Sequence, residues 1–214
     1  MIYKWLHKHE QANEVIVFFS GWGFDQKVVE RLTANGTDVL FIYDYTNIEI
    51  ELPKLNSYKK CNLVAWSFGV GHYALWQAVN PDPFTNKVAI NGTVATIDRL
   101  LGIPKKVVQH TINSLTYESY QEFVKRCFNQ DDEHLTADCH HIDIDKLKNE
   151  LTAISQRNYL HQHNWKWDKV WLSLNDKIYP TKNQQRAWQS ATFETIDESH
   201  APFNTWSNWQ QLLT

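Results

Sequence analysis

The chain has 214 residues, 43% of them hydrophobic, and a net charge of −3, which suits one well-buried domain with room for a single insertion. The near-neutral balance excludes a general polyanion binder, so nucleic acid is not an expected partner and an acidic protein has to meet a local basic patch. With 7 Gly and 6 Pro the composition also excludes fibrous repeats and long disorder.

Residues 1–7 lack a long apolar core and a small-residue cleavage site, so they read as a first strand and not as a signal peptide. Residues 14–20 (EVIVFFS) are nearly continuous β-branched and aromatic sequence, the pattern of a strand covered on both faces. Residues 38–44, 62–66, 87–91, 169–174 and 192–196 repeat it. Helical patterns fall between them at 26–32, 68–79 and 182–191, with a last one at 202–213, where Phe203, Trp206, Trp209 and Leu213 recur at near-helical spacing. Alternation of this kind predicts an α/β fold with a mostly parallel central sheet flanked by helices.

The alternation breaks between about Thr93 and Tyr159. There Tyr120, Phe123, Val124 and Cys127 make one helical stripe, and Leu147, Leu151 and Ile154 another. The expected organisation is a core of residues 1–92 and 160–214, with 93–159 a helical lid or cap over the carboxyl end of the sheet, where sites in such folds lie. No stretch approaches the roughly 20 apolar residues of a membrane span. Three cysteines, Cys61, Cys127 and Cys139, are odd in number and without C-x-x-C spacing, which suits a reducing compartment. A soluble cytoplasmic protein is therefore expected.

Ala65-Trp66-Ser67-Phe68-Gly69 joins a predicted strand to a predicted helix. This is the setting of a nucleophile elbow, whose sharp turn demands small residues two positions either side of the Ser. Ala65 and Gly69 meet that demand, although Gly is usual where Ala65 stands; a helix N-cap Ser is the ordinary alternative. The loop after the strand at 14–20, Ser20-Gly21-Trp22-Gly23, strengthens the functional reading. An oxyanion hole in this fold takes one N–H from that loop and one from the residue after the nucleophile, here Trp22 and Phe68. A phosphate loop is not indicated, because no G-x-x-x-x-G-K-[ST] is present and a third glycine for a dinucleotide fingerprint is missing.

An acid and a histidine should follow in that order. Asp176 comes just after the strand at 169–174, and His200 lies on the loop between the last strand and the C-terminal segment. Each is an ordinary loop residue when taken alone, but three candidates in three correct places predict an α/β-hydrolase fold with Ser67 as nucleophile, His200 as general base and Asp176 as its orienting acid. Asp44 precedes the Ser, Asp197 has to fold back to reach His200, and His72, His110, His161 and His163 lie elsewhere. The cluster Asp131, Asp132, Glu133, His134, Asp138, Cys139, His140 and His141 matches no tetrahedral metal pattern and reads as a solvated loop, so neither metal nor cofactor is expected.

The combination of Phe19-Ser20-Gly21-Trp22-Gly23, Ala65-Trp66-Ser67-Phe68-Gly69-Val70, Asn91-Gly92-Thr93, Gly102-Ile103-Pro104 and Ser199-His200-Ala201-Pro202-Phe203 resembles the BioG family across nearly the whole chain. The related BioH esterases carry His where Ser20 stands and Gly where Ala65 stands, so both departures favour BioG. The resemblance implies hydrolysis of the methyl ester of pimeloyl-[acyl-carrier protein] methyl ester in biotin biosynthesis, giving methanol, with acyl carrier protein as partner. Such a substrate needs an apolar channel, for which Trp22, Trp66 and Phe68 are candidate walls. The acidic carrier protein needs cations near its mouth, for which Arg99, Lys105, Lys106, Lys125 and Arg126 are candidates; a solvated helical face is the ordinary alternative. A general short-chain carboxylesterase or thioesterase, or a non-catalytic hydrolase-like binding protein, remains compatible with the scaffold.

Overall fold

Strands form where β-branched and aromatic residues run without interruption. The computed structural model describes residues 1–128, 142–159 and 166–214; the cluster at 131–141, with Cys139, and His161 and His163 lie outside them. Seven strands make one sheet: β1 (Ile2–His7), β2 (Glu14–Phe19), β3 (Asp38–Tyr43), β4 (Lys60–Trp66), β5 (Asn86–Ile90), β6 (Lys169–Ser173) and β7 (Glu194–Ile196), in the order β1-β3-β2-β4-β5-β6-β7. Among the described strands, β1 alone is antiparallel to its neighbour. Val15 to Phe19 on β2 are all 0% exposed, which explains why that strand shows no polar alternation.

The strand order reverses at β2, which lies between β3 and β4. Ligand sites of open α/β sheets form at such a switch point, beyond the carboxyl ends of the strands. Phe19 pairs with Ala65 across β2 and β4, so the loop after β2 and the turn after β4 emerge side by side. Among the described residues, the non-glycine positions with left-handed backbone include Asp44, Ser67 and Asn91, which follow β3, β4 and β5. Backbone strain is thus concentrated at the carboxyl edge of the sheet.

Helix α1 (Phe68–Gln77) follows β4 and is buried almost all round. Among the described residues, three helices stand between β5 and β6: α2 (Lys105–Ser114), α3 (Tyr117–Cys127) and α4 (Ile144–Ser155). A capping box of Thr116 and Ser119 starts α3, and Asp143 caps α4. Helix α5 (Thr181–Ala187) follows β6.

Two predicted helices are not formed as read. At 26–32 there is one 3₁₀ turn, Gln26–Val29; Thr33 is then drawn into a parallel bridge with Asn208, off the helical path. At 202–213 two 3₁₀ turns, Phe203–Thr205 and Trp209–Leu213, flank an extended Trp206. The same bridge to Thr33 prevents one continuous helix. The aromatic residues of this segment are nonetheless in the core, with Trp209 fully enclosed.

Candidate active site

Ser67 stands where β4 ends and α1 begins, with φ 57° and ψ −125°. The turn closes only because its neighbours are small. A Cβ on Gly69 would lie 2.2 Å from the Phe19 carbonyl oxygen, and one on Gly92 2.3 Å from the Ser67 carbonyl oxygen. The Ser67 side chain caps no helix N–H, so it is free for another partner. That partner is His200: its Nε2 lies 2.9 Å from Ser67 Oγ, and its Nδ1 lies 2.9 Å from Asp176 Oδ2. The His200 and Asp176 side chains are 1% and 0% exposed. A carboxylate on Nδ1 takes the N–H there and leaves Nε2 to accept the serine hydroxyl proton.

Each member is itself held. Asp176 Oδ1 accepts the Ile178 and Tyr179 N–H groups at 2.8 Å each, while Oδ2 also accepts Gln184 Nε2 from α5 at 3.0 Å. The His200 carbonyl accepts Trp66 Nε1 and Asn91 Nδ2, both at 2.8 Å. Asn91 also bonds the Ser173 hydroxyl and N–H, at 2.7 Å each. Gln184 and Asn91 were not singled out from sequence as site residues. Asn91 carried a signal only as the end of the predicted strand at 87–91 and as part of the Asn91-Gly92-Thr93 motif of the resemblance, and Gln184 had none.

Phe68 is the first residue of α1, so its N–H has no intrahelical acceptor. The Trp22 loop lies beside it: a Cβ on Gly21 would be 3.3 Å from Ser67 Cβ and 2.9 Å from the Trp66 ring. Phe68 adjoins Ser67 in the chain, and the loop that carries Trp22 approaches Ser67 at Gly21.

The expected channel walls have other surroundings. Trp66 is fully enclosed against Phe24, His200 and Phe203, and seats the His200 loop. The Trp22 indole is packed on Phe123 and donates to the Leu147 carbonyl at 3.1 Å, between α3 and α4. A cavity of about 340 Å³ lies beside the loop, with Gly21, Phe24, Tyr120, Val124, Leu147 and Glu150 in its wall; Trp22, Trp66 and Phe68 do not line it. Gly21 is the border between this cavity and Ser67. Glu150 accepts the Tyr45 N–H at 2.8 Å. Burial, helped by nearby Asp44, pushes its carboxyl up to about 7 against the opposing pull of that N–H, Lys146 and Arg157.

Of the candidate docking cations, Lys105 and Lys106 are the exposed first two residues of α2, whose first turn contains no acid. Exposed Arg99, Leu100 and Val107 lie close to them in sequence. Lys125 is exposed but pairs with Glu122 at 2.7 Å, and Arg126 Nε donates to the Glu122 carbonyl.

The family model described as pimeloyl-ACP methyl esterase BioG matches residues 3–212. The chain belongs to the BioG family. Its structure is similar to that of BioG from Haemophilus influenzae, with a TM-score of 0.88 and 26% identity over 100% of both chains. A bromoperoxidase from Bacillus anthracis shares the fold at a TM-score of 0.65 and 14% identity, over 93% of this chain and 88% of that one. The chain is also 33% identical over 184 residues to a Bacteroides fragilis protein named malonyl-[acyl-carrier protein] O-methyltransferase, covering 82% of this chain and 36% of that relative. It thus spans about a third of that relative's length. The family is one described as an esterase, and the fold is that of the α/β hydrolases.

Proposed function

We propose that this BioG-family chain is a serine esterase that removes the methyl group from pimeloyl-[acyl-carrier protein] methyl ester in the cytoplasm. The observation that carries the reading is the buried chain of hydrogen bonds from Ser67 through His200 to Asp176. It favours ester hydrolysis over the methyl transfer named for the longer Bacteroides relative. His200 Nε2 takes the proton as Ser67 Oγ attacks the ester carbonyl. The Trp22 and Phe68 N–H groups stabilise the oxyanion, and Asp176 stabilises the imidazolium. The proton then passes to the departing methoxide, and water, deprotonated by His200, frees the acid. The cavity bordered by Gly21 accommodates the acyl chain, and helices α3 and α4 form the cover over it.

Carrier docking fits Arg99, Lys105 and Lys106 best, because these cations lie close in sequence to exposed Leu100 and Val107 and the first turn of α2 contains no acid. Lys125 and Arg126 contribute less, since Glu122 already engages both. The test compares Ser67→Ala with the parent on the carrier-bound methyl ester and on p-nitrophenyl butyrate, alongside labelling by a fluorophosphonate. Loss of turnover and of label on Ser67 is expected. Parental turnover by Ser67→Ala would overturn the mechanism. Reversing Lys105 and Lys106 to Glu should raise KM for the carrier-bound ester alone; an equal rise for both esters would remove the docking assignment.

A further inference from the structure

Next to the peptides of the two proposed oxyanion donors lies a buried polar unit that the hydrolytic mechanism does not use. His72 is on α1, one turn beyond Phe68, and is 0% exposed. Its Nδ1 lies 2.6 Å from the Phe68 carbonyl oxygen, which can only accept, so Nδ1 holds the proton. Nε2 is then an acceptor, and it receives the Arg157 guanidinium, with the Tyr159 hydroxyl 3.2 Å away. Burial and the neighbouring Arg157 cation hold the imidazole well below its ordinary pKa, so it stays neutral in this tautomer.

Tyr45, also 0% exposed, stacks on the His72 ring with centroids 4.0 Å apart and planes at 15°. Its hydroxyl donates to the Ser20 carbonyl at 2.6 Å. Ser20's own hydroxyl is buried without a hydrogen-bond partner among the described residues, so it does not brace the loop itself. The Tyr45 backbone is fixed from α4 and the residues after it. Its N–H goes to Glu150, and its carbonyl accepts Arg157, whose guanidinium also reaches the Thr46 carbonyl.

The two ends of this unit fall one peptide away from the two oxyanion donors. The Ser20–Gly21 peptide, whose carbonyl Tyr45 holds, adjoins the Gly21–Trp22 peptide that carries the first donor. The Phe68–Gly69 peptide, whose carbonyl His72 holds, adjoins the Ser67–Phe68 peptide that carries the second. The loop has glycine at both 21 and 23, so its backbone is intrinsically free, and an oxyanion hole works only if its donors are fixed within a few tenths of an ångström. We propose that the stacked Tyr45–His72 pair, locked by Arg157, is a positioning unit that holds the two halves of the oxyanion hole in mutual register. The inference rests on the reading of Trp22 and Phe68 as the oxyanion donors.

The experiment uses Tyr45→Phe, which keeps the stack and removes only the bond to Ser20. Active sites are titrated with a fluorophosphonate. Turnover of p-nitrophenyl butyrate per titrated site is then measured together with inhibition by methylboronic acid, a tetrahedral mimic of the oxyanion. The expected result is a fall in kcat of about tenfold, below the hundredfold or more of deleting a donor. KM should be unchanged and the boronate Ki raised by a similar factor. A second pair separates positioning from packing: His72→Asn keeps a donor near the Nδ1 position and retains more activity per titrated site than His72→Leu. A purely structural role lowers the melting temperature and the titratable fraction but moves neither kcat per site nor Ki, and that result overturns the proposal. So does a fall in kcat with the boronate Ki unmoved. Hydrolysis surviving Ser67→Ala instead overturns the serine-esterase reading beneath it, whereas an inactive Ser67→Ala beside an unaffected Tyr45→Phe removes only the positioning unit.

Discussion

Glu150 gives the sharpest pH prediction. It is 6% exposed, and burial raises its carboxyl from 4.5 to about 7. A raised carboxylate pKa means that between these two values the native chain binds more protons than the unfolded chain, so stability falls as pH rises through the window. The full penalty for ionised Glu150 is about 3 kcal/mol, at about 1.4 kcal/mol per pH unit, and most of it accrues between about pH 5 and about pH 8. Glu150→Gln removes the charge and keeps an oxygen for the Tyr45 N–H. Subtracting its urea-unfolding curve from the parent's cancels titrations elsewhere, leaving Glu150 and its coupling to Asp44, Lys146, Arg157 and the Met1 amine. The variant should match the parent closely near pH 5 and exceed it by about 3 kcal/mol near pH 8, or roughly 6–12 °C in Tm for a chain of this size. Parallel stability profiles across that range would refute the reasoning. A parent that gains on the variant with rising pH would refute its sign.

Three further substitutions probe the site's supports. Gly69→Ala drives a methyl group into the Phe19 and Ser20 carbonyl oxygens. It should cost about 3 kcal/mol in urea unfolding, since backbone cannot yield as a side-chain tip does. Asn91→Gly tolerates the φ of 44° while deleting the ties to His200 and Ser173. Its kcat for p-nitrophenyl butyrate should fall about tenfold with KM little changed. Trp22→Phe keeps the packing on Phe123 and loses the bond to Leu147, so it should lose about 1 kcal/mol of stability and speed amide exchange along α4.

The parallel sheet was legible because strands buried on both faces show as unbroken runs such as Glu14–Phe19. The positions of Ser67, Asp176 and His200 were legible because each follows a strand in an order the fold dictates. The C-terminal segment misled for a geometric reason. Its buried residues are Phe203, Trp206, Trp209 and Leu212, a strict spacing of three, which is the 3₁₀ period and not the 3.6 of an α-helix. Reading Leu213 in place of Leu212 made the spacing look α-helical. Tyr45, His72, Gln184 and Asn91 were illegible as site residues because their roles arise largely from distant partners, up to 112 positions away, and no local pattern marks such partners. Trp66, expected as a channel wall, carries an N–H that finds the His200 carbonyl, and its ring is enclosed in the core.

Those long-range partners bear on what helices α3 and α4 do. Tyr120 on α3 donates to the Gly23 carbonyl at 2.5 Å, Leu147 on α4 accepts the Trp22 indole, and Arg157 beyond α4 grips both Tyr45 and His72. A cover that swung away as one body would break all of these contacts at once and loosen the loop on which the proposed oxyanion donor depends. Each bond contributes about 1 kcal/mol, and bonds from a cation about twice that; the buried Trp22 and Tyr120 rings add apolar contact to the loss. Opening of that kind dismantles the catalytic geometry it is meant to expose. The arrangement instead favours a fixed scaffold of α3 and α4 around the Gly21–Phe24 loop, so that docking of these two helices and ordering of that loop are one event.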